Sequence, residues 1–225
     1  MGDLSDWTVK SEPTLKNTTG RFIHIDHAQF PDDAEALFAA IGRSGDADLW
    51  RYIPFGPFEN AEALGAGMAF VAERQHWITY IFRDATTKAV LGMASYMRIR
   101  PEAGSVEIGC IIFSKKLQKT PAATEAMYLL ARHLFDDLGY RRYEWKCHDG
   151  NDASKRAAAR LGFSFEGVFR QDMVVKGENR DTAWYSIIDS EWPKVKAAFE
   201  SWLATENFDK AGQQLRSLQD IRELL

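Results

Sequence analysis

Residues 107–165 gather side chains that can bind an anion and move a proton. Leu117-Gln118-Lys119-Thr120-Pro121-Ala122-Ala123-Thr124 follows an apolar strand-like run and opens a long helical pattern. A helix start leaves backbone N–H groups unpaired at the positive end of its dipole, a ready anion site whose usual guest is pyrophosphate. Ala122 and Ala123 are small enough to let a ligand approach the backbone, and Lys115, Lys116 and Lys119 add positive charge. With Thr120 as N-cap, Pro121 takes the first helical position, where proline is favoured. The N–H groups of Ala122, Ala123 and Thr124 are then expected to remain open to phosphate. An ordinary well-capped helix reads the same way.

Glu107 alternates with Val106 and Ile108 in an otherwise apolar run, where a carboxylate needs a reason. Two reasons stay open: a general base tuned by desolvation, or a carboxylate paired with an arginine such as Arg98. His148 and Asp149, just past a strand end, form a second base candidate or a plain polar turn. Asn151 and Ser154 read as the N-cap and first-turn hydroxyl of a short helix. Cys110 and Cys147 lack zinc-type spacing, and His24, His27, His76, His133 and His148 show no paired-ligand grouping. Buried free thiols and no metal are the expectation.

The elements that must hold these residues follow from periodicity. Alternation predicts strands over 21–27, 77–83, 89–100, 105–113, 140–147, 163–175 and 182–188, with turns at 86–88 and 101–104. Helices are predicted over about 31–41, 61–74, 121–138 and 151–161, the last two stopped by Gly139 and Gly162. The aromatic, proline-broken stretch Leu49-Trp50-Arg51-Tyr52-Ile53-Pro54-Phe55-Gly56-Pro57-Phe58 reads as a loop, and 176–180 as a hairpin loop. The order β-α-α-β-β-β-α-β-α-β-β describes one α+β domain over 21–203, an irregular arm over 1–20 and an amphipathic helical tail over 204–225. That tail, rich in leucine, is expected to dock on its own domain or on a second copy in a homodimer.

At 225 residues with 45% hydrophobic side chains, the chain can bury a sizeable core. A net charge of −4 argues against a nucleic-acid partner. No apolar run approaches the roughly 18 residues of a membrane span, and Met1-Gly2-Asp3-Leu4-Ser5-Asp6-Trp7 is acidic where a signal peptide is basic. A cytoplasmic protein without a membrane partner is therefore expected.

The motif-bearing segment resembles the GNAT superfamily of acyl-CoA-dependent N-acetyltransferases, in particular its RimJ/RimL-like branch, whose members modify protein N-termini. The family phosphate loop Gln/Arg-x-x-Gly-x-Gly/Ala is similar to Gln118-Lys119-Thr120-Pro121-Ala122-Ala123, with proline at the glycine. Ala123-Thr124-Glu125-Ala126 and Asn151…Ser154…Leu161-Gly162-Phe163 look like the same branch, and the element order matches over roughly 21–192. The resemblance implies a GNAT-like three-layer α+β fold, its mostly antiparallel sheet splayed at the acyl-CoA site with helices on both faces. It implies acetyl-CoA as co-substrate, bound by Gln118, Lys119, Thr120, Ala122, Ala123, Thr124, Asn151 and Lys155. Lys155, Arg156 and Arg160 could meet a 3′-phosphate, although the solvated face of a helix is the leading reading for Arg160. A tyrosine that many members place four residues before the glycine of Gly162-Phe163 is Ala158 here, while Ser154 maps to a serine near the sulfur. Ser154 and Glu107 are thus the catalytic candidates. Trp50, Tyr52, Phe55 and Phe58 fall where the branch shapes its acceptor site, alongside Glu107 and the 176–180 hairpin; core packing is the alternative for the aromatics. The implied activity is direct acetyl transfer in a ternary complex to a primary amine; the branch itself favours protein N-termini, but an aromatic loop able to close a pocket directs the expectation to a small or amino-acid-like molecule. A protein or peptide N-terminus as acceptor, and a non-catalytic acyl-CoA sensor, are the alternatives.

Overall fold

The computed structural model describes residues 4–225. Its strands are β1 (Thr18–Thr19), β2 (Ile23–His27), β3 (Ile78–Asp84), β4 (Val90–Arg100), β5 (Ser105–Phe113), β6 (Arg142–His148), β7 (Ser164–Val175) and β8 (Glu178–Ile188). Its α-helices are α1 (Ala34–Ile41), α2 (Ala61–Gln75), α3 (Pro121–Arg132), α4 (Asp152–Leu161), α5 (Trp192–Leu203) and α6 (Leu218–Leu224). The strands form one sheet in the order β1-β2-β3-β4-β5-β6-β8-β7. Only the β5–β6 pair is parallel; every other neighbouring pair is antiparallel. No helix among the described residues is long and apolar enough to cross a membrane.

Side-chain alternation along the strands splits the core in two. Ile81, Met93 and Ile112 face one side and bury against Leu37 and Ile41 of α1 and Leu64 and Met68 of α2. Tyr80, Tyr96, Val106, Ile108 and Tyr143 face the other and meet Ala126 and Leu130 of α3, Ala158 of α4 and Phe199 of α5. The expected three layers, helix on sheet on helix, result.

Three expectations change. The helix predicted over 121–138 is α-helical only to Arg132; a π turn, His133–Asp137, follows, with the Leu138 N–H reaching His133 O at 3.2 Å. Residues 4–20 are irregular apart from β1 but are tied down: the Tyr80 hydroxyl donates to Pro13 O at 3.0 Å and accepts from Leu15 N–H at 2.8 Å. The tail is helical only in a single 3-10 turn, Thr205–Asn207, and in α6. Between it and α5, Asn207 is buried, its side chain donating to Trp202 O (3.1 Å) and Arg216 O (3.2 Å). Leu218 and Ile221 enter the main core, and Arg222 caps α4 by donating to Ala159 O and Arg160 O.

Glu125 fixes α3 against the sheet. Its buried carboxylate accepts the N–H groups of Arg21, Phe22 and Ile23 at 2.8, 2.6 and 3.0 Å. A Cβ at Gly20 would fall 2.4 Å from its carboxyl carbon, so glycine is required for this approach.

Candidate active site

The parallel pairing of β5 and β6 runs from Ser105 opposite Arg142 to Ile108 opposite Trp145, and there it stops. Beyond that point β5 bulges against β4. Met93 faces Ile112 and Ser95 faces Gly109, so Cys110 and Ile111 share one place in the ladder, and Cys110 takes φ 48°. A bulge bends its strand and leaves the extra residue unpaired. β5 and β6 therefore diverge, and a cavity of about 620 Å³ opens between them. Gly109, Cys110 and Ile111 line one wall; Cys147, His148, Asn151 and Ser154 line the other.

At one end stands the start of α3. Thr120 is its N-cap and Pro121 its first residue, as predicted. The Thr120 hydroxyl donates to Leu117 O at 2.7 Å and accepts the Ala123 N–H at 3.3 Å. That corrects the expected donor set: Ala123 serves the cap, and the fourth helical residue, Thr124, closes the first turn onto the N-cap carbonyl. The N–H of Ala122, with those of Lys119 and Thr120 before it, is what the helix start retains. Lys119 sits at φ 60°. Gln118 lines the cavity, its amide donating to Phe113 O at 2.9 Å. Lys119, Thr120, Ala122, Ala123, Thr124 and Lys155 lie outside the cavity lining. Lys155 pairs with Asp149 at 3.2 Å and Asp152 at 3.7 Å. Lys115 donates to Gly45 O at 2.8 Å. Arg160 is not on a solvated face: it donates to Thr124 Oγ1 at 3.1 Å and lies 5.0 Å from the Trp202 ring centroid.

The proton-handling candidates both reach the cavity. Glu107 is buried, and the pairing alternative holds for it. Its Oε2 meets the Arg98 guanidinium and, at 2.9 Å, the Lys146 ammonium. Lys146 is shared with Glu144 at 2.8 Å and lies 3.7 Å from the Trp184 ring centroid. Both of the cations bound to Glu107 hold the same oxygen, so Oε1 stays open among the described residues. Gly109 leaves room beside it: a Cβ there would lie 3.2 Å from Oε1. Ser154 accepts the Trp145 indole N–H at 3.0 Å, while its backbone N–H is taken by the Asn151 cap at 3.1 Å. The serine hydroxyl also lies within hydrogen-bonding reach of the Cys147 sulfur, so its proton has a sulfur acceptor at the cavity wall. Of the second pair, His148 lines the cavity but its Nδ1 accepts from Gly150 N–H at 2.9 Å, and Asp149 is the partner of Lys155. Burial pushes the Cys110 thiol up to about 12 and also raises Cys147, so neither is a thiolate near neutrality.

The far end is aromatic. Tyr52 and Phe55 line the cavity with Trp77. Trp50 does not. It is core: 1% exposed, its indole N–H on Ile41 O at 2.7 Å and its ring against Phe55 and Phe58. The loop is latched on both sides, the Tyr52 hydroxyl donating to Gly150 O and the Lys176 ammonium to Trp50 O, each at 3.0 Å. The predicted 176–180 loop contracts to Lys176 and Gly177, because β8 begins at Glu178. Arg180 is therefore a strand residue, and its side chain lines the cavity.

A family profile for the acetyltransferase (GNAT) domain matches residues 28–164. The chain belongs to the GNAT acetyltransferase family. It is 28% identical over 159 residues to the uncharacterized N-acetyltransferase YoaA of Bacillus subtilis, covering 69% of this chain and 88% of that one. A second protein of that organism, YdaF, named as a candidate ribosomal N-acetyltransferase, is 29% identical over 108 residues, 48% of this chain and 58% of its own, in keeping with the RimJ/RimL-like branch. A crystal structure of a GCN5-related N-acetyltransferase from Brucella melitensis superposes with TM-score 0.92 at 42% identity, covering 98% of this chain and all of the other. As a GNAT domain, the chain has two departures with visible consequences. Pro121 removes one N–H donor from the start of α3, where the family motif has glycine. Ala158 is fully buried, and Ser154, one helical turn earlier, supplies the hydroxyl that reaches the cavity. An acyl-CoA fits the remaining features: a divergent strand pair whose β5 edge has lost its β6 partner, and a capped helix start at one mouth.

Proposed function

We propose that the protein transfers an acetyl group from acetyl-CoA directly to the primary amine of a small acceptor. The observation that carries this reading is the single cavity in which the unpaired β5 edge, Ser154, the open oxygen of Glu107 and a latched aromatic loop converge. The latches favour a small molecule over a protein N-terminus, since they tie the aromatic loop that lines the cavity to Gly150 and to Lys176.

Each end of the cavity has a chemical task. The N–H groups around Ala122 and the side chain of Gln118 hold phosphate and the adjoining arm. The bulged β5 backbone offers groups to the pantetheine amides and to the thioester carbonyl, polarising it. An acceptor arrives as ammonium, and attack requires the free amine. Arg98, Lys146 and Arg180 at the acceptor end disfavour a further positive charge, which lowers the proton affinity of that ammonium. Glu107 Oε1 accepts the proton, directly or through water. The second amine proton, shed as the amide forms, passes to the CoA sulfur, which departs as the thiol while the Ser154 hydroxyl hydrogen-bonds it. With both thiols kept neutral, no covalent acetyl-enzyme is needed.

Calorimetry with acetyl-CoA, followed by a thiol-release assay across a panel of small amines, tests this. The expected result is 1:1 binding at micromolar concentration and amine-dependent release, with no stoichiometric burst of thiol when acetyl-CoA is mixed with the protein alone. Binding without turnover on any amine or peptide identifies a sensor instead. Absence of binding at millimolar acetyl-CoA removes the enzyme reading.

A further inference from the structure

Four cations on one face of the sheet, Arg98, Arg100, Arg142 and Lys146, already share the three carboxylates Glu107, Glu144 and Glu166. Arg180 adds a fifth cation and no carboxylate. The register puts it on that same face: Lys146 lies opposite Trp184 and His148 opposite Thr182, and Arg180 is the next residue of the row, paired across β7 with Met173. β6 ends at His148, so no β6 residue flanks Arg180, and its side chain lines the cavity with Glu107, Lys146 and Met173.

Its Nε is buried and has no hydrogen-bond partner. Among the described residues Arg180 forms no ion pair; Glu107 and Asp172 act on it only from beyond contact range, while Arg98 opposes them. Burial lowers its proton affinity, as expected of a cation deprived of water. Thr182 Oγ1 and Trp184 Nε1, on the same row, are also buried without partners. A half-buried guanidinium whose buried Nε lacks an acceptor gains when an anion meets it, and its planar fork matches a carboxylate.

Resting on the acetyl-transfer reading above, we infer that Arg180 binds a carboxylate of the acceptor, which is therefore an amino-acid-like molecule carrying an amine and a carboxylate rather than a simple amine or a polycation. The amine lies toward Glu107 Oε1 and the carboxylate toward β8. The aromatic loop receives the remaining body of the molecule.

The test uses the full-length protein saturated with CoA, titrated calorimetrically with the N-acetyl derivatives of glycine, methionine and phenylalanine, their amides, and the phosphonate analogues. These probes mimic the product, so they report on acceptor binding without turnover. At least one carboxylate is expected to bind about 10- to 100-fold more tightly than its amide, the worth of one charge-assisted contact. Arg180→Gln should abolish that preference and Arg180→Lys restore part of it, with acetyl-CoA affinity unchanged and thermal melting confirming that both variants fold. In wild-type steady-state assays, the free amino acid should likewise exceed its amide in kcat/KM. Equal binding of carboxylate and amide, no binding of any probe at millimolar concentration, or a preference that survives Arg180→Gln overturns the inference. Preference for the phosphonate overturns the choice of carboxylate. Failure of the acetyl-transfer reading is separate, since it shows as loss of acetyl-CoA binding or of turnover on every amine.

Discussion

Ser154 receives the Trp145 indole N–H, the cap of α4 absorbs its backbone N–H, and its hydroxyl lies at the cavity wall beside the Cys147 sulfur. A hydrogen bond given to a sulfur that gains charge as it departs acts in the transition state more than in the ground state. Ser154→Ala should therefore lower kcat and kcat/KM together by about 10- to 100-fold, roughly 1.4–2.8 kcal/mol, while acetyl-CoA affinity stays within about two-fold. Thiol-release kinetics beside calorimetry check this, and an unchanged kcat would remove the serine from the chemistry. Glu107, Tyr52 and Phe55 were legible as cavity residues because a polar group in an apolar strand and a proline-stiffened aromatic loop signal themselves, whereas Gln118 and Ser154 were singled out by the family resemblance. Which ring of that loop turns inward was not legible. Trp50 found an acceptor in the Ile41 carbonyl and joined the core, and nothing in its own neighbours in sequence announces that partner. Arg180 fell inside the 176–180 stretch that the resemblance set beside the acceptor site, but its place in a strand was hidden, because a turn-rich stretch masks where β8 begins.

Among the elements, period-2 alternation and glycine stops located β5, α3 and α4 to within a few residues, whereas the bulge at Cys110 and the length of the β5–β6 pairing depend on contacts between distant segments. The start of α3 shows what local chemistry does decide. Thr120 and Pro121 make a stable cap at the expense of free N–H donors at the proposed phosphate site, since proline has no N–H and the cap occupies Ala123. Pro121→Gly returns one N–H to the phosphate site and loosens the helix start. Acetyl-CoA should then bind about 3- to 10-fold more tightly, a gain smaller than a full charge-assisted bond because glycine must be ordered first. The apo protein should melt at a slightly lower temperature. Calorimetry and a melting curve on the same preparation decide the matter. Unchanged affinity would mean that phosphate does not contact this position.

For the whole molecule the governing fact is that an acidic chain folds so as to collect cations on the polar face of its sheet. Glu144 sits at the middle of that face, buried, between Arg100 at 2.7 Å, Arg142 at 2.8 Å and Lys146 at 2.8 Å. Burial pushes its carboxyl up, but the bonds from Lys146 and Arg142, with Arg100 nearby, outweigh burial and bring it down to about 2. A carboxyl held below its ordinary value of 4.5 stabilises the fold above that pH, and the contribution disappears as pH falls from 4.5 toward 2. Wild-type Tm should accordingly drop through that window. Glu144→Gln should start lower near neutrality, where it leaves buried cations short of a partner, and should lose less on acidification, so that the two curves converge. A Tm difference that is as large near pH 3 as near pH 7 would refute the assignment. Lys146 bridges Glu144 to Glu107, so the same acidification also reaches the acceptor end of the cavity. Once Glu144 is protonated, Lys146 has Glu107 as its one remaining carboxylate, and the carboxylate proposed to take the acceptor's proton on Oε1 is bound at Oε2 by a less compensated cation. Acetyl transfer in the Glu144→Gln variant should therefore show reduced kcat even near neutrality, with acetyl-CoA affinity intact.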